Sequence, residues 1–226
     1  MTHYRPDFPL LQVHNARAGF FEYEQFLALR SELPEWLRPV FTFAYNTGCR
    51  KSEILALRWS QVDFSGSGEI RLNPGETKNK QARTIPLTRE LYDLLLMLKE
   101  QRDLYWPHCE LVFSRLGEPI KCFARVWRSA CQRAGLWDAE TGKHTRVFHD
   151  LRRSALRDMI RSGTPEKVSM AISGHKTRAV FDRYQIVSGR DLKQAAQRLD
   201  EYRAAASENR KRTTNELKTL PVDSVQ

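Results

Sequence analysis

The stretch Thr47-Gly48-Cys49-Arg50-Lys51-Ser52-Glu53-Ile54-Leu55-Ala56-Leu57-Arg58-Trp59 decides how the chain is read. Upstream of it, Leu37, Val40, Phe41, Ala44 and Tyr45 recur at the spacing of one apolar helical stripe. Gly48 stops that helix as a left-handed cap would, and a short helix from Lys51 to Leu57 follows at once. Arg50 therefore stands at a helix start, where the macrodipole disfavours a cation by about 0.3–1 kcal/mol. A phosphate bound there would reverse that cost. Alone, such an arginine is more often a solvated charge, so the rest of the chain has to supply its partners.

Outward from this stretch, Phe20 to Leu33 (FFEYEQFLALRSEL) reads as a helix. Pro39 lies inside the next pattern, so that helix either begins there or is kinked. Beyond Trp59, Val62/Phe64, Ile70/Leu72 and Thr84/Ile85 give three strand-like pieces, with the polar turn Asn73 to Gln81 (NPGETKNKQ) between the last two. They predict a small antiparallel sheet carrying an exposed loop. Thr88 can cap a helix lined by Leu91, Leu94, Leu95 and Leu98. Further helices are expected over Phe123 to Ala134, over His149 to Ser162 with Gly163 closing it, after Thr164-Pro165, and over about Asp191 to Tyr202. The last places Leu192, Ala195, Ala196 and Leu199 on one face. The fold class is thus α+β, mainly α-helical, with a three-stranded antiparallel sheet.

The 226 residues carry a formal net charge of +10. The segment 206–226 holds four cations and three carboxylates, so nearly all of the excess sits on the body, where it attracts a polyanion. Nucleic acid is the first partner to consider. Cys49, Cys109, Cys122 and Cys131 form no C-x-x-C pair, so neither a zinc site nor any other metal is expected. The start, MTHYRPDFPL, has a proline and charges where a signal peptide needs an apolar run, and no stretch approaches the ~20 apolar residues that span a bilayer. A cytoplasmic protein with reduced thiols, associated with the nucleoid, is expected.

Four segments carry the chemistry: the stretch at 47–59; Thr77-Lys78-Asn79-Lys80 followed by Arg83-Thr84-Ile85-Pro86-Leu87; His149-Asp150-Leu151-Arg152; and Ser173-Gly174-His175 with Phe181-Asp182-Arg183-Tyr184. Each alone has an ordinary reading. H-x-x-R arises often by chance, Lys78 on a polar turn faces solvent by default, and Tyr184 would be half-buried in most proteins. Residues three apart do share a helix face, however, so His149 and Arg152 can reach one phosphate. In order and spacing the four segments together resemble the tyrosine recombinases of the phage-integrase family, with its first arginine box, lysine hairpin, H-x-x-R box, and histidine and tyrosine nine positions apart. The resemblance covers about residues 20 to 200.

That resemblance implies the DNA breaking-rejoining catalytic fold and a transesterification that leaves a 3′-phosphotyrosine and a free 5′-hydroxyl. Two guanidiniums suit the non-bridging oxygens of the transition state, and Arg50 and Arg152 are the pair implied. Tyr184 is the nucleophile, His149 the proton acceptor, His175 a hydrogen-bond donor to phosphate, and Lys78 the acid for the leaving 5′-oxygen, with Lys80 its nearest competitor. Glu53 orients a partner. No cofactor is implied. The partner is double-stranded DNA, an attachment or recombination site of a phage or other mobile element, engaged as a homo-oligomeric tetramer through the carboxyl-terminal helix, with no membrane.

In domain terms, residues 1–19 are expected to be a linker remnant with the family's usual amino-terminal DNA clamp absent. Residues 20–205 form the catalytic domain and 206–226 a disordered polar tail. Two rival functions follow from the same residues: a type IB topoisomerase that relaxes DNA without exchange, and a truncated integrase that occupies sites as a DNA-binding decoy.

Overall fold

A computed structural model describes residues 19–74, 82–178, Phe181 and 189–218. The chain divides into a unit ending at Gln185 and a second beginning at Ile186. The first unit opens with α1 (Tyr23–Glu32), α2 (Arg38–Thr47) and α3 (Lys51–Leu55), then a 3-10 turn at Trp59–Gln61. Strands β1 (Val62–Asp63), β2 (Glu69–Leu72) and β3 (Arg83–Pro86) follow, then α4 (Arg89–Tyr105). Next come the hairpin β4 (Ser114–Arg115) and β5 (Glu118–Pro119), α5 (Ala124–Arg133), and the hairpin β6 (Trp137–Asp138) and β7 (Lys143–His144). α6 (Asp150–Arg161) and α7 (Glu166–Ser173) follow.

Two helices form the spine. α2 buries Val40, Phe41, Thr42, Phe43 and Ala44 in succession, so it is enclosed on nearly all sides. It packs against α6, which is buried from Asp150 to Arg157. Pro39 occupies the first turn of α2, where its missing N–H costs nothing, so the helix begins there without a kink. Phe41 gathers the neighbours: it stacks on Phe26 of α1 at 5.0 Å and meets Trp127 of α5 edge-on at 5.8 Å. Burying each such ring contributes about 1.5–3 kcal/mol, which fixes α1 and α5 to the spine.

The sheet runs β1-β2-β3, antiparallel throughout, with Ile70 opposite Ile85 and Leu72 opposite Arg83. Ile70, Leu72 and Ile85 are buried, as a sheet with one face on a core requires. Lys78 and Lys80, expected on the polar turn between β2 and β3, lie outside the described residues. Thr88 caps α4 by accepting from the Leu91 N–H. The β4–β5 turn is Leu116-Gly117, both at positive φ (54° and 80°), the backbone of a two-residue primed turn.

The second unit is one long helix, α8 (Gly189–Lys218). It overruns Tyr202 and enters the stretch read as a disordered tail. Ala204 to Ala206 are strong helix formers, and no proline intervenes before Pro221. Leu192, Leu199 and Tyr202 are exposed on α8.

Candidate active site

Two helix ends build the site. Gly48, the left-handed cap of α2 at φ 65°, turns the chain so that Arg50 becomes the N-cap of α3. It also lets α6 come close, since a Cβ at position 48 would stand 3.2 Å from that of Ala155. Gly174, at φ 72°, caps α7 in the same way and turns the chain back toward α6.

Arg152 reaches from α6 between these two turns. Its buried guanidinium donates through Nη1 to the carbonyls of Gly48 and Ser173, each at 2.6 Å. Its Nη2 lies 2.9 and 3.0 Å from the two ring nitrogens of His175, and Ser173 Oγ is 2.8 Å from His175 Nδ1. Arg50 enters from the other side. Its Nη1 donates to Glu53 Oε1 at 2.9 Å, its backbone N–H donates to Glu53 Oε2 at 2.9 Å, and its Nη2 reaches the carbonyl of Gly174 at 3.4 Å. The Arg50 side chain keeps 22% of its surface exposed whereas Glu53 keeps 2%, so the cation faces outward and the carboxylate holds it from behind.

A third guanidinium, not singled out in the sequence, completes the cluster. Arg83 of β3 donates to Glu53 Oε2 at 2.8 Å and to Cys49 Sγ at 3.4 Å. Its position could have been found: strand alternation places Arg83 on the same side as Ile85, where an apolar residue is the rule. Two guanidiniums, those of Arg50 and Arg83, thus hold one buried carboxylate, and that of Arg152 lies on the neighbouring Ser173-Gly174-His175 turn. The surplus of positive charge suits an oxyanion.

The titrations follow from this field. Burial alone would raise the Glu53 carboxyl, but hydrogen bonds from Arg83 and Arg50 outweigh it and hold the group below the ordinary range. His175 is pushed down to about 3, by burial first and then by Arg152 and Arg50. His149, at the N-cap of α6 with its outer edge exposed, is also lowered, by desolvation first and then by Arg152, while Asp150 opposes. Both imidazoles are therefore neutral near pH 7, and a neutral imidazole can accept a proton.

Of the residues expected from the sequence, the structure brings Arg50, Glu53, Arg152 and His175 into one hydrogen-bonded group. His149 is coupled to that group electrostatically. Lys78 and Tyr184 lie outside the described residues. Phe181, three residues before Tyr184, is buried with its ring 5.8 Å from that of His175. Among the described residues no group of three or more His, Cys, Asp or Glu could hold a metal, and no helix is long and apolar enough to cross a membrane.

Fold and cluster together define a mainly helical α+β domain with a cationic, hydrogen-bonded cluster at its helix ends. The family model described as "Phage integrase family" matches residues 19–189, and the chain belongs to that family. It is 32% identical over 146 residues to the shufflon-specific DNA recombinase of Escherichia coli, covering 64% of this chain and 33% of that protein. It is 26% identical over 203 residues to the integrase of Salmonella phage P22, covering 84% of this chain and 49% of the relative. The chain thus spans a third to a half of the curated relatives it matches. Among solved structures it is similar to XerA recombinase, with TM-score 0.65, 18% identity and coverage of 80% and 64% of the two chains. It is also similar to the Tn1549 transposon integrase in complex with transposon right-end DNA, with TM-score 0.62, 18% identity and coverage of 80% and 66%. These structures share its fold.

Proposed function

We propose that this chain is the catalytic part of a site-specific DNA recombinase that acts on double-stranded DNA as the integrase of a phage or other mobile element. The observation that carries the reading is the convergence of Arg50 and Arg152 on the Ser173-Gly174-His175 turn, with both histidines held neutral. Names and coverage of the relatives support it: recombinases and integrases match across most of this chain.

In this reading the hydroxyl of Tyr184 attacks the scissile phosphorus, a P–O bond forms, and the bond to the 5′-oxygen breaks. The tyrosine proton passes to His149, which is neutral and so able to take it. Arg50 and Arg152 stabilise the two non-bridging oxygens, a contribution of about 10²–10³ in rate for each donor lost. His175 supplies a further hydrogen bond, and Lys78 protonates the departing 5′-oxygen. The phosphodiester energy is kept in the phosphotyrosine, so a 5′-hydroxyl from another strand can reverse the step and complete exchange. Residues 20–205 would make up the catalytic domain. Assembly into a homo-oligomer, a tetramer, would use α8, whose Leu192, Leu199 and Tyr202 are exposed. The place of action would be the cytoplasm, on the nucleoid.

Covalent capture tests this. The chain is mixed with a pool of nicked duplexes randomised around the nick, denatured, and the DNA that remains attached is sequenced. A defined site should emerge, and paired copies of it should be exchanged between duplexes. DNA binding without any attached strand would instead support the decoy reading, and relaxation without exchange the topoisomerase.

A further inference from the structure

Glu53 sits between two arginines, and only one of them faces the outside. Arg50 keeps a fifth of its side-chain surface exposed, whereas Arg83 keeps 7%. Arg83 grips both carboxylate oxygens, Nη2 to Oε2 at 2.8 Å and Nη1 to Oε1 at 3.4 Å. Glu53 hands the constraint on, since Oε1 holds the Arg50 guanidinium and Oε2 its backbone N–H. A carboxylate clamped by a planar fork cannot rotate, so its second partner is held in one direction.

Arg83 has one further contact that matters. Its guanidinium lies against Gly174, where any Cβ would collide with Nη1, and β3 packs on α7. Gly174 is the residue whose carbonyl accepts from Arg50 and whose turn delivers His175. Arg83 also begins β3, the strand paired with β2. One buried side chain thus touches both the carboxylate behind Arg50 and the turn before His175.

We infer that Arg83 is a positioning residue for the phosphate site: acting through Glu53 and Gly174, it fixes the direction of Arg50 and holds β3 against the turn that delivers His175. This rests on the proposed role of Arg50 in binding the phosphate. A purely structural ion pair would stabilise the domain without any link to the charge on the phosphate. The two roles therefore predict different couplings.

The test is a double-mutant cycle on single-turnover cleavage of the duplex recovered by covalent capture, carrying either an ordinary scissile phosphate or a neutral methylphosphonate. Arg83→Ala should slow cleavage of the ordinary phosphate by a factor on the order of 10–100, as loss of a group that orients a reacting ligand does. The defect should shrink on the methylphosphonate, in parallel with that of Arg50→Ala, because a neutral centre no longer needs the guanidinium. Arg50→Ala/Arg83→Ala should be within about twofold of Arg50→Ala alone, the sign of two residues acting as one. Arg83→Lys keeps the buried charge and so should keep the fold, and it should fall between Ala and wild type.

A second readout needs no DNA site: binding of inorganic phosphate, followed by NMR of His149 and His175, in wild type, Arg83→Lys, Arg50→Ala and the double variant. Arg83→Lys should weaken phosphate several-fold, and not further once Arg50 is gone. Additive losses in either cycle, or an Arg83 defect equal on charged and neutral centres, would overturn the positioning role while leaving Arg50 in place. If Arg50→Ala itself cleaves and binds phosphate as wild type does, the proposed function fails at its root.

Discussion

In the proposed reaction Arg152 divides its guanidinium between framework and chemistry. Nη1 is held by the Gly48 and Ser173 carbonyls, and Nη2 faces His175. Lysine in its place offers a point charge that cannot serve two carbonyls and a ring at once. Arg152→Lys should therefore lose both stability, read as a lower melting temperature, and cleavage rate by about 10²–10³. Full retention of either property would argue against the dual role. For the leaving group, Lys78→Ala should slow cleavage by about 10²–10⁴. A 5′-bridging sulfur, which departs without a proton, should restore that variant and leave Arg50→Ala slow. Rescue of Lys80→Ala instead would move the acid two residues along the hairpin.

His175 adds a pH dependence whose sign follows from its depressed value of about 3. In the unfolded chain an imidazole takes a proton near pH 6.5, so between about 6.5 and 3 the unfolded state binds more protons than the native one. Stability is then full above pH 6.5 and falls as the solution is acidified. His149, also lowered, acts in the same direction. Thermal melts from pH 7.5 to 4.5 should show this decline, with a shallower one in His175→Gln. Equal slopes for the two proteins would show that His175 is not the group responsible.

At the scale of elements, the boundaries were the legible part, because the residues that end helices act locally. Gly48 and Gly163 were read as stops and Thr88 as a cap from their own chemistry, and each has the conformation or hydrogen bond expected. The three-stranded sheet followed from alternation around a polar turn. The hairpins β4–β5 and β6–β7 were not legible, since two-residue strands carry no period to detect. Arg83 escaped for a different reason: its partner is a carboxylate 30 positions away, which only the folded chain brings near. α8 runs past Tyr202, where the sequence pattern ends it, because Ala204 to Ala206 favour helix and no proline intervenes before Pro221. Gly48→Ala tests the most legible of these features. It forces an alanine into the left-handed region and toward Ala155, and should cost roughly 1–2 kcal/mol or more. For a chain of this size that lowers the melting temperature by about 2–4 °C per kcal/mol. An unchanged melting temperature would mean that the α2–α6 approach tolerates a methyl group.

For the whole molecule, positive charge on the body and the exposed face of α8 make separable contributions. Binding to DNA should weaken with salt at a slope of about −0.9 per phosphate neutralised. If protomers share contacts through α8, Leu192→Asp should flatten that slope and abolish strand exchange, while cleavage by single protomers on a suicide substrate persists. An unaltered slope together with normal exchange would place assembly elsewhere. In the proposed reaction the chain joins itself to DNA through one tyrosine. The direct measurement is mass spectrometry of the peptide that carries the captured strand, alongside the same capture with Tyr184→Phe. The expected result is a 3′-phosphate linked to Tyr184 and no attached DNA in the variant, with duplex binding retained. Undiminished attachment in Tyr184→Phe, or a linkage mapped to any other residue, would contradict it.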